Sequence, residues 1–386
     1  MKAKSITGKS FEEIQAALGK AIADDFFPTL AIVFISVMQD RKAIAEMFHQ
    51  KGIDIFGATS CGEFVDDHHS EGGIAILLLS IPRESYAILF NDMGEGTIEQ
   101  LADQIGQRAL QTFKDPSMIV CSTGMNTKGE FFDGESFVKH IGKAIGPERI
   151  FFGGMAGDDW MFTGTYVFTY GLETPIGAVT LVLDAQKISL AGIATTGWKP
   201  LGISRKVTKS IDNRLYMIDG KPAVEMYLKY LGKEERKDDK EFNVFEELGF
   251  TYPFITEREP GGETVLRSPL KIDHKEKALE LDIAMPEGTT FWFSTPPDFD
   301  IVDEILDEAT HLKKADAMGA DALLIFSCAG RPPVLGPLVN AENNGLANVW
   351  QTPMAGFFTY GEYGRTKKGK QEYHSGACCW VALKEK

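Results

Sequence analysis

Phe56-Gly57-Ala58-Thr59-Ser60-Cys61-Gly62-Glu63 stands between a helix-period segment and a buried β-type run. Two other stretches share its form. Phe152-Gly153-Gly154-Met155-Ala156-Gly157-Asp158 is one residue shorter and ends in aspartate, and Ala355-Gly356-Phe357-Phe358-Thr359-Tyr360-Gly361-Glu362 keeps the G-x-x-x-x-G-E spacing. Short glycine motifs arise by chance. A shared position inside a longer pattern is a stronger sign of an internal repeat.

The pattern has a helical segment, a buried strand, a second helix, the glycine turn and a closing strand. In the first copy Phe11, Ile14, Ala17, Leu18 and Ile22 form a helical stripe. Ala31 to Val37 is the strand, Lys42 to Gln50 the second helix and Gly73 to Ser80 the closing strand. The second copy runs through Thr97 to Phe113, Met118 to Ser122, Gly134 to Ile145 and Ala178 to Asp184. The third runs through Asp300 to Met318, Asp321 to Cys328, a short helix within Leu335 to Leu346, and Ala377 to Leu383. The expected fold is α/β, with mixed β-sheets and outer helices, built from repeated helix-strand-helix-turn-strand units.

Between the second and third copies the pattern changes. Ile188 to Thr196, Lys206 to Ile211 and Arg214 to Ile218 have β character, and Pro222 suits the start of a helix from Ala223 to Leu231. Lys233 to Glu241 is an unbroken charged run that no core accepts. The domain boundary is therefore expected near Asp219 to Lys240, giving domains 1–220 and 221–386. Beyond it, Thr264 to Ile272 and Leu279 to Met285 read as strands.

The totals narrow the function. A chain of 386 residues with 44% hydrophobic and 25% charged residues has the composition of a globular protein. Its formal charge of −15 disfavours nucleic acid and anionic membranes as partners. Five cysteines without C-x-x-C spacing fit reduced thiols and the cytoplasm better than a disulfide framework or a zinc knuckle. Met1 to Ser10 lacks the apolar core of a secretory leader, and runs such as Leu30 to Met38 are too short to span a bilayer.

Strong catalytic signatures are absent: no Walker-type loop, no H-E-x-x-H and no G-x-S-x-G occurs. Ser60 and Cys61 are candidate nucleophiles, but Glu63, Asp66 and Asp67 nearby would raise a thiol pKa rather than lower it. A small buried residue in a tight turn is the other reading of Cys61. His68-His69 between acids reads either as a solvated loop or as a metal site. Glu63, Asp158, Asp159 and Glu362 either accept backbone N–H groups at their turns or touch a ligand. Arg331, at a strand's end in a Gly/Pro loop, either holds a carboxylate or is a surface arginine. Trp198 either covers a ligand or anchors a core. Cys378 and Cys379 should face opposite sides of their strand.

Gly57 to Glu63 resembles the N-terminal signature of the FIST domain family, as does Phe152 to Asp159. Gly197-Trp198-Lys199-Pro200-Leu201-Gly202, Val207-Thr208-Lys209-Ser210 and Asp219-Gly220-Lys221-Pro222-Ala223 are similar to its midsection. Cys328-Ala329-Gly330-Arg331 and Gly356 to Glu362 resemble its C-terminal half. The resemblance covers about Ala31 to Trp380 and implies a sensory role in signal transduction. FIST domains are regarded as binding small ligands such as amino acids, and many are fused to output domains. Here the family region fills the chain, so a separate signalling partner such as a histidine kinase is expected. The ligand-binding residues expected are Thr59, Ser60, Glu63, Arg331, Tyr360 and Glu362, without a cofactor. Some stand-alone relatives are described as haem proteins that sense nitric oxide, which makes a haem sensor the first alternative. The family's last strand is often preceded by His-Asn, whereas this chain has His374-Ser375. A hydrolase or transferase using Cys61 or Ser60 is the second alternative.

Overall fold

The computed structural model describes residues 1–233, 244, 248–257, 264–315 and 319–386. They form two compact units. One comprises Met1–Thr195, Val302–Ala329 and Pro337–Lys386, and the other Thr196–Ile301 and Gly330–Gly336. Most of the charged run from Lys233 to Glu241 lies outside the described residues.

The first unit contains the repeat. Copy one is β1 (Lys2–Gly8), α1 (Phe11–Ala21), β2 (Leu30–Ser36), α2 (Arg41–Gln50), β3 (Asp54–Ser60), the hairpin β4 (Glu63–Val65) and β5 (His68–Ser70), and β6 (Ile74–Ser80). Copy two is β7 (Tyr86–Asp92), α3 (Ile98–Thr112), β8 (Pro116–Ser122), α4 (Gly134–Ile145), β9 (Phe151–Met155), the hairpin β10 (Val167–Thr169) and β11 (Leu172–Thr174), and β12 (Gly177–Asp184). Copy three opens with β13 (Ile188–Thr195). The chain then builds the second unit from β14 (Lys199–Ile211), β15 (Arg214–Ile218), β16 (Lys221–Pro222), α5 (Ala223–Tyr230), β17 (Phe254–Glu257), β18 (Thr264–Arg267), β19 (Pro269–Asp273), β20 (Ala278–Leu281) and β21 (Thr290–Thr295). Copy three resumes with α6 (Asp300–Ala315) and β22 (Ala322–Cys328). The short helix α7 (Arg331–Leu335) follows, then α8 (Leu338–Trp350), β23 (Met354–Thr359), the hairpin β24 (Glu362–Arg365) and β25 (Gln371–His374), and β26 (Cys378–Glu385).

Polar side chains start helices α1 to α4. Ser10, Asp40, Thr97 and Asp133 each accept an N–H from the first turn of their helix, and Thr97 with Gln100 completes a capping box.

Three sheets of the first unit share one order. They run β1-β6-β2-β3, β7-β12-β8-β9 and β13-β26-β22-β23. In each, the third and fourth strands pair in parallel and the remaining pairs are antiparallel. Each sheet is then extended by another copy's hairpin. The first takes β10 and β11, the second β24 and β25, and the third β4 and β5. The exchange is cyclic, so no copy completes its own sheet.

Strand periodicity explains the layers. Leu30, Ile32 and Phe34 of β2 join Ile119 and Cys121 of β8 and Leu324 and Phe326 of β22 in one core. Phe34 stacks on Phe357 at 4.4 Å and meets Phe326 edge-on at 6.0 Å. The alternate residues Ala31, Val33 and Ile35 pack outward on Ile14, Leu18, Ile44 and Phe48 of α1 and α2. Runs buried on both faces read as continuous apolar stretches, as observed. Cys379 faces the common core while Cys378, also buried, alternates away from it.

Four sequence expectations change. Each copy opens with a strand rather than a helix, so β1 and β7 were not foreseen. Ile188–Thr195 is the opening strand of copy three, not part of a separate region, because it pairs with β26 along its whole length. The first glycine of each motif lies within a strand, and the turn proper occurs only near Gly62, Gly157 and Gly361. His68-His69 belongs to strand β5, where the half-buried His69 ring stacks on Phe64 at 5.3 Å.

The strand glycines pair with aromatic residues of the exchanged hairpins. Gly57 lies opposite Phe168, Gly153 opposite Tyr363 and Gly356 opposite Phe64, each aromatic coming from the exchanged hairpin. A Cβ would come within 2.4 Å of the Phe168 ring at Gly57 and 2.2 Å of the Phe64 ring at Gly356. At these two positions the missing side chain lets the ring cover the neighbouring strand's backbone, whereas a Cβ at Gly153 would meet the Val120 carbonyl.

In the second unit an antiparallel sheet runs β18-β17-β21-β14-β15-β20-β19, with β16 beside β15. Its core gathers Tyr227, Leu228, Phe254, Phe291 and Phe293. Residue 220 lies within this unit. No helix among the described residues is long and apolar enough to cross a membrane.

Candidate functional site at the junction of three turns

The chain crosses from one sheet to another at each glycine turn, and the three crossings are tied to one another. Cys61 N–H donates to the Phe358 carbonyl at 3.0 Å, and Phe358 N–H donates to that of Gly62 at 2.9 Å. Gly157 N–H donates to Thr59 at 2.9 Å and Asp159 N–H to Ser60 at 3.0 Å. Met155 N–H donates to Gly361 at 2.8 Å and Tyr360 N–H to Met155 at 3.1 Å. Backbone bonds thus link every pair of turns.

Two of the three acids repeat one arrangement. Ser60, three residues before Glu63, donates its hydroxyl to Glu63 Oε1, and Gly73 N–H donates to Oε2 at 2.9 Å. Thr359, three residues before Glu362, donates to Glu362 Oε1 at 2.6 Å, and Ala377 N–H donates to Oε2 at 2.9 Å. Both carboxyl groups tie a turn to the start of the same copy's closing strand. Burial pushes the Glu63 carboxyl up to about 8, against the opposing bonds from Ser60 and Gly73.

The third acid faces the junction itself. Asp158 Oδ2 accepts from the N–H groups of Thr163 and Gly164 at 2.7 and 3.0 Å, and Oδ1 accepts the Tyr360 hydroxyl. The Cys61 thiol adjoins Tyr360 and Asp158. One side chain from each copy therefore meets here: Cys61, Asp158 and Tyr360. Burial pushes the Cys61 thiol up to about 12, against the opposing hydrogen bonds with the Trp160 backbone and Tyr360. Glu63, Asp66 and Asp67, invoked from sequence, are not the cause. A nucleophilic cysteine needs the opposite shift.

Copy two replaces the tight Gly-Glu crossing with a longer loop. Asp159, Trp160 and Phe162 have φ of 53, 62 and 51°, left-handed conformations that non-glycine residues rarely adopt. They place two rings beside Tyr360, with Phe162 parallel to it at 5.9 Å and Trp160 tilted at 5.7 Å. Phe162 is 39% exposed. Asp159 accepts the Ser36 hydroxyl at 2.6 Å, and burial raises its carboxyl above the usual range.

Thr59, Ser60, Glu63 and Tyr360 thus share one neighbourhood. Thr59 is wholly committed there: its hydroxyl accepts Tyr166 N–H at 2.9 Å and donates back to the Tyr166 carbonyl at 3.3 Å. Glu362 holds the equivalent position at the third turn. Arg331 belongs to the other unit. Its side chain is fully buried, donates to the Thr196 carbonyl at 2.9 Å and lies 6.0 Å from the Trp198 ring. Trp198 is itself buried, and its indole donates to Thr251 at 3.0 Å. His374 is a buried residue of β25, paired with Glu362. No group of three or more metal-ligating side chains gathers among the described residues.

Sequence reasoning missed Trp160 and Phe162. The signal was the run Asp158-Asp159-Trp160-Met161-Phe162, which sets large apolar residues beside acids where a turn is expected.

Residues 29–221 match the FIST N domain and residues 223–365 match the FIST C domain. No curated protein matches the chain.

Proposed function

The chain belongs to the FIST family, whose domains are sensory domains of signal-transduction proteins, and on that premise we propose that it is a cytoplasmic sensor of an amino acid or similar small acid. The match of both family domains along the chain carries this proposal. The turn junction supports it physically. Backbone bonds join every pair of turns, so a ligand that orders one turn biases the other two. The rings of Trp160, Phe162 and Tyr360 offer an apolar surface next to the Asp159 carboxyl. Arg331, in the other unit, is a separate candidate for holding a carboxylate, and occupancy is passed to a separate partner such as a histidine kinase.

Native mass spectrometry of protein purified from its own cells tests the proposal. A retained mass of amino-acid size is expected. Protein that carries none, and that no amino acid or small carboxylic acid protects against heat, would overturn it. Arg331→Ala should weaken binding of a carboxylate ligand, and unchanged affinity would remove Arg331 from the site.

A further inference from the structure

The repeat supplies an internal control for each outer layer of the first unit. Parallel pairing sets Val33 opposite Gly57 in copy one and Ile325 opposite Gly356 in copy three. From that alignment Ile35 corresponds to Ser327. The closing strands give Ile74 for Cys378 and Ile76 for Trp380, since Ile35 pairs Ile74 and Val33 pairs Ile76 while Ser327 pairs Cys378 and Ile325 pairs Trp380. On the covering helices, Ile44 precedes Gly57 by 13 residues and Asn343 precedes Gly356 by 13. Copy one is aliphatic at every one of these positions and packs into a single apolar cluster.

Copy three has polar groups at these places, and α8 adds Trp350 beyond them. Ser327 Oγ, both amide atoms of Asn343, and the indole nitrogens of Trp350 and Trp380 are buried without a hydrogen-bond partner. Ser327, Asn343 and Trp380 are 0% exposed and Trp350 is 3% exposed. The four residues face one layer. Ser327 and Trp380 alternate with core-facing Phe326, Cys379 and Val381, so they point to the helix side. Helix α8 packs on β22, burying Asn343 and Trp350, and the Trp350 and Trp380 rings lie 5.6 Å apart. Asn343 is two turns before Trp350, about 10 Å along the helix. Buried polar groups are almost always paired, and a cluster of unpaired ones calls for an occupant.

The geometry points to a ligand site under α8 for a small uncharged molecule of the amide class. Donors outnumber acceptors: the Asn343 amide NH2, two indole N–H groups and the Ser327 hydroxyl face the Asn343 carbonyl. A cation would bring still more donors. The buried ionisable residue of α8 is the acid Glu342, and the nearby cation, Lys313 of α6 at 5.8 Å from the Trp350 ring, is committed to the Val349 carbonyl at 2.6 Å. An amide presents a carbonyl and an N–H on one edge. That edge matches Asn343 at two points and leaves a carbonyl lone pair for an indole. This site is separate from the turn junction and stands whether or not the junction binds an amino acid.

Acetamide and its charged isostere acetate test the proposal. Indole 15N–H signals report on the site directly, with Trp350→Phe and Trp380→Phe assigning the two peaks. Acetamide, after prolonged incubation, should shift both signals saturably, and acetate should not. Asn343→Leu, which restores the apolar character of copy one, should weaken acetamide at least tenfold while the melting temperature holds or rises. Ser327→Ala serves the same purpose if that variant does not fold. Absence of a saturable shift, an equal response to acetate, or an undiminished response in the folded variants would each overturn the proposal. Loss of stability in Asn343→Leu without any acetamide response would mean that water alone fills the layer, and would overturn it too.

Discussion

Tyr360 of the third turn donates its hydroxyl to Asp158 of the second, 202 residues away in sequence. The bond closes the junction of the turns. Asp158 is fully buried, and its other oxygen is held by the N–H groups of Thr163 and Gly164. Tyr360→Phe leaves one buried carboxylate oxygen without this donor. The expected cost is about 1–3 kcal/mol, read as a lower urea midpoint at unchanged slope. An unaltered midpoint would show that the bond adds nothing to the fold.

Glu63 makes stability depend on pH. Its carboxyl stands at about 8 in the folded protein against 4.5 as the ordinary value, with burial as the leading cause. The folded value is the higher one, so the folded state keeps a proton that the unfolded state releases between those limits. Stability from this group is therefore full at low pH and is lost as pH rises toward 8. The groups facing the carboxyl are Ser60, Ser70, Gly73 and Asp159. Glu63→Gln cannot ionise. Its melting temperature should match the parent near pH 4.5 and exceed it increasingly up to pH 8. A constant difference across that range would contradict the assignment.

Two glycines should respond in opposite ways to alanine. At Gly57 the new Cβ would meet the Phe168 ring at 2.4 Å, so Gly57→Ala should cost about 1–3 kcal/mol. Trimming the ring with Phe168→Leu should return part of that loss. Gly19, on α1, has nothing within 4 Å of the added methyl. Gly19→Ala should stabilise by about 0.5–1 kcal/mol through helix propensity. Thermal melts of these variants decide the matter.

The thiols should react in an order set by burial. Cys61 is buried and pushed up to about 12, and burial also raises Cys121 and Cys379. Cys328 is the half-buried one. Iodoacetamide at pH 8 on native protein should therefore label Cys328 first, as peptide mass spectrometry would show. Rapid labelling of Cys61 would reopen a nucleophilic role for it.

Much of the architecture was legible because its signals are local. Helix stripes and doubly buried strands follow from the period of apolar residues, and three copies appeared as three similar motifs. The opening strands were harder. Lys2 to Gly8 has no continuous apolar run, since one of its faces is polar and partly exposed. The opening strand of copy three was visible but misassigned, because the second unit separates it from its partners. At the site, Ser60 and Glu63 were found and their bond is local. Trp160 and Phe162 were not, because backbone strain in a loop has no periodic trace in sequence.

The amino-acid sequence alone determined the α/β class, the repeat and the glycine–acid pairs that end its strands. These depend on side-chain period and on bonds three residues apart, as from Ser60 to Glu63 and from Thr359 to Glu362. Only the tertiary structure decided that each hairpin completes another copy's sheet, and that Cys61, Asp158 and Tyr360 meet. Sheet pairing is nonlocal: any strand edge offers the same backbone donors and acceptors, so composition does not name its partner. Shape contributes to the choice at two of the edges, where Phe168 and Phe64 each lie over a strand glycine that leaves room for the ring.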